Sequence, residues 1–250
     1  MERLDKILAG TGRWSRREVK ELIRQRRVLL DGLTADSPEQ KIDPNTAVIQ
    51  VDGVPVAYRR YTYVLLHKPA GVLSAVEDSR HTTVMDLLPQ ELKRQGLSPV
   101  GRLDKDTEGL LLLTNDGDLA HRLLSPRSHV DKVYYARTQG TPKAEDAARF
   151  AEGITLEDGL HCLPAVLRVC GENEVLLTLR EGKFHQVKRM LAACGTPVEY
   201  LRRLSMGPLE LGSDLPPGEF RHLTEEEITN LRQAVGLVAA DCQKSTCTFC

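Results

Sequence analysis

Four consecutive leucines, Leu110 to Leu113, lie between the acidic, glycine-bounded stretch Gly101-Arg102-Leu103-Asp104-Lys105-Asp106-Thr107-Glu108-Gly109 and the turn signal Asn115-Asp116-Gly117. A half-exposed strand alternates apolar and polar residues, whereas a short unbroken apolar run ending in turn residues reads as a strand covered on both faces. The chain must therefore supply packing layers above and below this strand. Asp104 falls just upstream, at the lip of a rigid core. Taken alone, such an aspartate either satisfies backbone N–H groups of its own turn, as loop aspartates commonly do, or presents its carboxylate as a nucleophile.

The rest of the chain supplies those layers. Tyr63 to Leu66, Lys132 to Arg137, Val166 to Val169 and Val175 to Leu179 read as further strands. Thr83 to Leu88, Asp118 to Leu124, Lys143 to Gly153, His185 to Cys194 and Glu225 to Ala234 read as helices. The helix at 143 to 153 is amphipathic through Ala147, Ala148 and Phe150 and reads as a packing element. At 250 residues the chain has ample length for one or two domains. No apolar run approaches the ~20 residues of a membrane helix, and Met1-Glu2-Arg3-Leu4-Asp5 is too charged to start a secretory signal, so the expected compartment is the cytoplasm. Cys162, Cys170 and Cys194 show no disulfide spacing and are expected to be reduced.

A formal net charge of −1 argues at first against a nucleic-acid partner. The distribution reverses that reading. Residues 1 to 30 hold nine Lys or Arg against four acids, a local excess of five positive charges. Leu4, Ile7 and Leu8 mark the inner face of a first helix ending near Gly10 or Gly12. Ser15, with Glu18 three residues on, forms a capping-box signature for a second helix, in which Val19, Leu22 and Ile23 face inward. Arg16, Arg17 and Lys20 then cover outer faces, and Arg3 and Lys6 lie on the first helix or just before it. Val28-Leu29-Leu30 followed by Asp31-Gly32 reads as a strand and turn. The segment resembles the S4 RNA-binding module in its Arg-Leu-Asp start, its Ser-Arg-Arg helix entry and its trailing strand. It departs from the module at Arg26 and Arg27, where glycine commonly precedes the valine. A composition shift after Gly53-Val54-Pro55-Val56 places the domain boundary near Tyr58.

The remainder resembles the RNA pseudouridine synthases of the RsuA type. Gly101-Arg102-Leu103-Asp104, Thr107 and Gly109-Leu110 match that family's signature, Asp104 included. His67-Lys68-Pro69-Ala70-Gly71 is similar to its entry motif and Asp131-Lys132-Val133-Tyr134-Tyr135 to its Lys-x-Tyr motif. Glu181 to Met190 and Leu201 to Pro208 resemble its two later motifs. Five motifs in order are far more specific than any one. The resemblance implies an α+β fold: a small S4-type α/β domain over 1–58, then a catalytic domain over 59–236 with a mixed, mainly antiparallel sheet flanked by helices. Residues 237–250 form a cysteine-containing tail.

The resemblance further implies isomerisation of uridine to pseudouridine in ribosomal RNA. Asp104 would act at the ribose, on C1′ or on the 2′ carbon, or on the uracil ring. Tyr134 would lie against the target base and relay the C5 proton, with Tyr135 on the opposite face of its strand. Lys188 would pair with a buried Asp104 and keep it ionised. Arg102 would contact phosphate or fill the gap left by a flipped nucleotide, and Arg189, about 100° round the helix from Lys188, would bind phosphate or solvent. His185 could contact RNA, although a lone histidine at a helix start more often reads as a structural hydrogen-bonder. The sequence His185-Gln186-Val187-Lys188-Arg189-Met190, with Leu163-Pro164-Ala165-Val166-Leu167, has the look of members acting on 16S rRNA, with 23S rRNA as the alternative.

No cofactor is expected, because the reaction is redox-neutral and neither adds nor removes atoms. No metal site is expected. Cys242, Cys247 and Cys250 offer C-x4-C-x2-C, but three ligands without a nearby histidine read as a tail without metal. Nothing calls for more than a monomer. Two readings from other classes remain: an RNA-binding or ribosome-assembly protein without chemistry, and a glycosidic hydrolase using Asp104 and Asp106 as a carboxylate pair.

Overall fold

The computed structural model describes residues 1–237; the expectation for Cys242, Cys247 and Cys250 lies outside the described residues. In the N-terminal unit, Leu4, Ile7 and Leu8 bury one face of the helix Leu4–Gly10. The capping box forms as the sequence indicates: the Glu18 backbone N–H donates to Ser15 Oγ (3.2 Å) and the Ser15 N–H to Glu18 Oε2 (2.6 Å), opening the helix Arg16–Arg24. Val19, Leu22 and Ile23 of that helix pack on Val28, Leu30, Ile49 and Val51 of a four-stranded sheet. Arg26 turns the chain with φ +58°, a left-handed conformation that explains the usual glycine at this point.

The N-terminal unit is seated on the larger C-terminal one. Gly12, at φ +78°, lies so close to the Glu91 carbonyl that a Cβ there would stand 1.9 Å from its oxygen. Gln95 Nε2 donates to the Thr11 carbonyl (2.9 Å), and its Oε1 accepts from Thr62 Oγ1 (2.6 Å).

The larger unit is built on a nine-stranded sheet. Its main path runs Val166–Gly171, Glu174–Leu179, Lys132–Thr138, Val198–Met206, Glu108–Thr114, Tyr63–Lys68 and Phe220–His222; Leu209–Glu210 and Ser98–Pro99 pair off this path. Val198–Met206 runs parallel to Glu108–Thr114, and every other pairing is antiparallel. Leu110 to Leu113 are all fully buried, and the reason is the one the apolar run implies: both faces are covered. Leu111 and Leu113 face a core with Leu66, Phe150, Leu177 and Met190. Leu110 and Leu112 face a second with Leu65, Leu119, Leu123 and Leu231. Each such side chain stabilises the fold by about 1.5–3 kcal/mol.

Two differences from the sequence reading are physical. Thr83 to Leu88 is reduced to a 3₁₀ turn, Val84–Leu87, held by Thr83 and Asp86. The longest strand, Val198–Met206, is absent from the expected strands because Glu199, Arg202 and Arg203 mask its alternation. Arg203 is nevertheless 2% exposed, its Nε donating to the Leu110 carbonyl (2.8 Å). Beside it Gly109, at φ +111°, brings the two parallel strands together; a Cβ there would stand 2.3 Å from the Arg203 carbonyl oxygen.

Candidate active site

Asp104 sits on a loop tethered on both sides. On the upstream side, the buried Ser74 hydroxyl donates to the Leu103 carbonyl (2.9 Å) and accepts from the Leu103 N–H (3.1 Å), with the Leu103 side chain anchored in the core. On the downstream side, the Thr107 N–H donates to the Asp104 carbonyl (3.1 Å) and the Gly71 N–H to the Lys105 carbonyl (2.7 Å). The fully buried Lys68 ammonium donates to the carbonyls of Pro69 (3.0 Å), Lys105 (3.2 Å) and Thr107 (2.8 Å). Burial pushes Lys68 down to about 8, while the carboxylates of Asp106, Asp104 and Glu108 act to hold its proton on.

The Asp104 side chain is 26% exposed. This corrects the expectation of a buried carboxylate: the group lies in the wall of an open cavity. Lys188 Nζ reaches Asp104 Oδ2 at 3.3 Å, as the resemblance implies, and also Asp106 Oδ1 at 2.5 Å. The Lys188 hydrogen bond holds Asp106 below the usual carboxylate range. Asp106, largely exposed and ionised, is therefore the opposite of the raised-pKa acid that a hydrolytic carboxylate pair requires.

Tyr134, 8% exposed, faces a small recess of 60 Å³ with Asp104, Thr107, Glu181, His185 and Leu201. The Thr107 hydroxyl is buried there without a hydrogen-bond partner among the described residues. Tyr135 points to the other face and packs edge-on against Tyr200. The recess adjoins a 740 Å³ cavity lined by Arg102, Asp104, Lys105, Lys132 and Lys183, with Phe184 and His185. Four cations line it with one carboxylate, Lys183 among them already paired with Glu181 (3.3 Å), and the positive excess suits it to a polyanion. Lys132 is also buried and pushed down to about 8 by desolvation, with Arg203 adding to the shift.

The remaining sequence-derived residues fall into two groups. Arg3, Lys6, Arg16, Arg17 and Lys20 surround one 360 Å³ groove on the N-terminal unit. Within it Arg3 is held by Asp5 (2.8 Å) and Glu39 (3.1 Å), and Lys6 by Glu2 (3.3 Å). Arg189 is instead drawn to Asp158 at 2.6 Å, away from Asp104. The structure also brings three residues not named among the expected site residues, Lys68, Ser74 and His185, to the Asp104 loop. His185 makes no helix-capping hydrogen bond; its Nε2 lies 3.5 Å from Asp104 Oδ1. The available signal for Lys68 is the motif His67-Lys68-Pro69-Ala70-Gly71, in which a charged residue closes an otherwise apolar strand.

This geometry agrees with what the chain resembles. The family described as RNA pseudouridylate synthase matches residues 62–193, and the S4 domain family matches residues 2–48. The chain is 48% identical over 235 residues to an uncharacterised RNA pseudouridine synthase of Bacillus subtilis, covering 92% of this chain and 98% of that one. It is 40% identical to the ribosomal small subunit pseudouridine synthase A of Vibrio cholerae, covering 92% and 99% of the two chains. A crystal structure of a pseudouridylate synthase, 34% identical, superposes with a TM-score of 0.65 over 92% of this chain and all of that one. With an S4 domain in front of a pseudouridine synthase domain, the chain belongs to the RNA pseudouridine synthases and isomerises uridine in RNA.

Proposed function

We propose that the uridine isomerised lies in 16S rRNA and that Asp104, Tyr134 and Lys188 carry the reaction. The observation that most supports the catalytic assignment is the double tethering of the Asp104 loop opposite Tyr134. A carboxylate fixed from both sides keeps its direction when the base arrives, which is where much of an enzyme's advantage lies. The target nucleotide leaves its stack, its phosphates among Arg102, Lys105 and Lys183, and its uracil enters the recess against Tyr134. Asp104 acts at the ribose, adding to C1′ as the bond to N1 breaks or taking a proton from the 2′ carbon. The detached uracil turns on the face of Tyr134, since stacking holds a planar ring without fixing its rotation. C5 then bonds to C1′ as the Asp104–C1′ bond breaks or, on the elimination route, as Asp104 returns its proton to the 2′ carbon; the C5 proton leaves through Tyr134 and N1 takes up a proton in its place. Lys188 holds a positive charge 3.3 Å from the Asp104 carboxylate.

The groove around Arg16, Arg17 and Lys20 gives the RNA a second hold. The small-subunit target draws support from the Vibrio cholerae relative. We place the reaction in the cytoplasm, carried out by a monomer without cofactor or metal. Tritium release from 16S and 23S transcripts labelled with [5-³H]uridine tests the target: release from 16S alone is expected, and release from 23S alone would overturn it.

A further inference from the structure

Phe184 is 73% exposed at the mouth of the 740 Å³ cavity, and its ring lies on that of His185 with centroids 3.8 Å apart and planes 17° apart. Consecutive residues do not ordinarily do this: their side chains diverge by about 100° in a helix and point to opposite faces of a strand. The parallel arrangement here accompanies φ +48° at His185, a left-handed conformation that disfavours a non-glycine residue by ~1–2 kcal/mol. The inner ring of the pair, His185, is 3.5 Å from Asp104. The outer face of Phe184 is open to solvent, and Lys183 and Arg102 line the same cavity. The small recess of 60 Å³ lies beside Tyr134; the larger cavity is of the size that holds a whole small ligand, about 300–1,000 Å³.

We propose that the Phe184–His185 pair is a stacking platform for the unpaired base of the nucleotide adjacent to the target uridine. When the uridine enters the recess, its neighbour loses a stacking partner. Phe184 replaces that partner one ring layer away from Asp104, while the cavity's cations take the phosphate between the two nucleotides. A large apolar face held rigid beside lysine and arginine side chains is what single-stranded RNA recognition uses, and it tolerates any base because every base has a π-face. The inference rests on the chain's acting on RNA but not on which RNA it modifies.

The test uses total RNA labelled with [5-³H]uridine from cells of the source organism lacking this gene, so the natural target is present whether it is 16S or 23S. Phe184→Ala should lower kcat/KM for tritium release by roughly 5- to 150-fold, the loss expected of one base–aromatic stack. Phe184→Tyr and Phe184→Trp should retain activity, and Phe184→Leu, similar in bulk but without a π-face, should fall with Ala. All four should unfold at the wild-type temperature, since so exposed a side chain contributes little packing. Activity of Phe184→Leu equal to wild type, an unaltered Phe184→Ala, or losses that follow the unfolding temperature would overturn the proposal. A second readout needs no turnover. The chain has one tryptophan, Trp14, so the Trp14→Phe, Phe184→Trp protein carries its only indole on the platform. Saturation with the same RNA, followed by anisotropy, should quench that emission; saturation without quenching would overturn the proposal.

Discussion

Replacing Lys68 with methionine separates two things a buried lysine can do. The ammonium donates to the carbonyls of Pro69, Lys105 and Thr107 from a fully enclosed position. Burial lowers its pKa from 10.5 to about 8, so at neutral pH the charged form makes folding less favourable by ~3 kcal/mol than an unperturbed lysine would. Methionine removes that penalty. It also strands the carbonyls of Pro69 and Thr107, at about 1–3 kcal/mol each, whereas the Lys105 carbonyl keeps the Gly71 N–H. The effects offset, and urea unfolding should place Lys68→Met within about 3 kcal/mol of wild type. Catalysis should not be spared, because the loop loses two tethers just downstream of Asp104. A displacement of ~1 Å at a reacting group costs about 100-fold in rate. Single-turnover tritium release at saturating enzyme measures this directly. An undiminished rate, or a loss fully explained by an unfolded fraction, would refute the assignment of Lys68 as a positioning residue.

The same lysine gives a pH signature. Below about pH 8 it is protonated in both the folded and unfolded chain; between about 8 and 10.5 only the unfolded chain keeps the proton, so its contribution to stability improves as pH rises. The difference in unfolding free energy between wild type and Lys68→Met should shift toward wild type from about pH 7 to 9.5, and a constant difference would contradict the argument. Gly109→Ala places a Cβ against the Arg203 backbone at a left-handed φ and should destabilise the fold by about 2–5 kcal/mol in the same assay; wild-type stability would show that the parallel pairing can relax. Replacing Arg16, Arg17 and Lys20 together by alanine should make the salt dependence of RNA binding shallower by about 2–3 in log–log slope. An unchanged slope would mean that the groove carries solvated charge and no phosphate.

Local signals are legible in the sequence because one segment contains the whole cause. Ser15 and Glu18 cap the helix that they open, Leu110 to Leu113 need covering on both faces wherever they lie, and Asp104 travels inside a contiguous motif. Lys188 opposite Asp104 is legible only through the family's ordered motifs, since 84 residues separate the two. The hidden features depend on elements distant in the chain. Ser74 clamps Leu103 from 29 residues away, and Lys68 reaches Thr107 from 39; neither spacing has a periodicity. Val198–Met206 carries charges that read as surface until Arg203 finds the Leu110 carbonyl. His185 reads as a helix-start hydrogen-bonder, and only its left-handed backbone turns the ring toward Asp104.

Carbodiimide labelling with primer extension, on 16S and 23S transcripts treated with wild type or Asp104→Asn, reads the modified RNA and the part played by Asp104 in one experiment. A single new pseudouridine stop on 16S with wild type, absent with an Asp104→Asn protein that binds the transcript equally well, is the predicted result. The same stop produced by Asp104→Asn would contradict it, because the carboxylate around which the loop, Lys188 and the recess are arranged would then have no part in the chemistry.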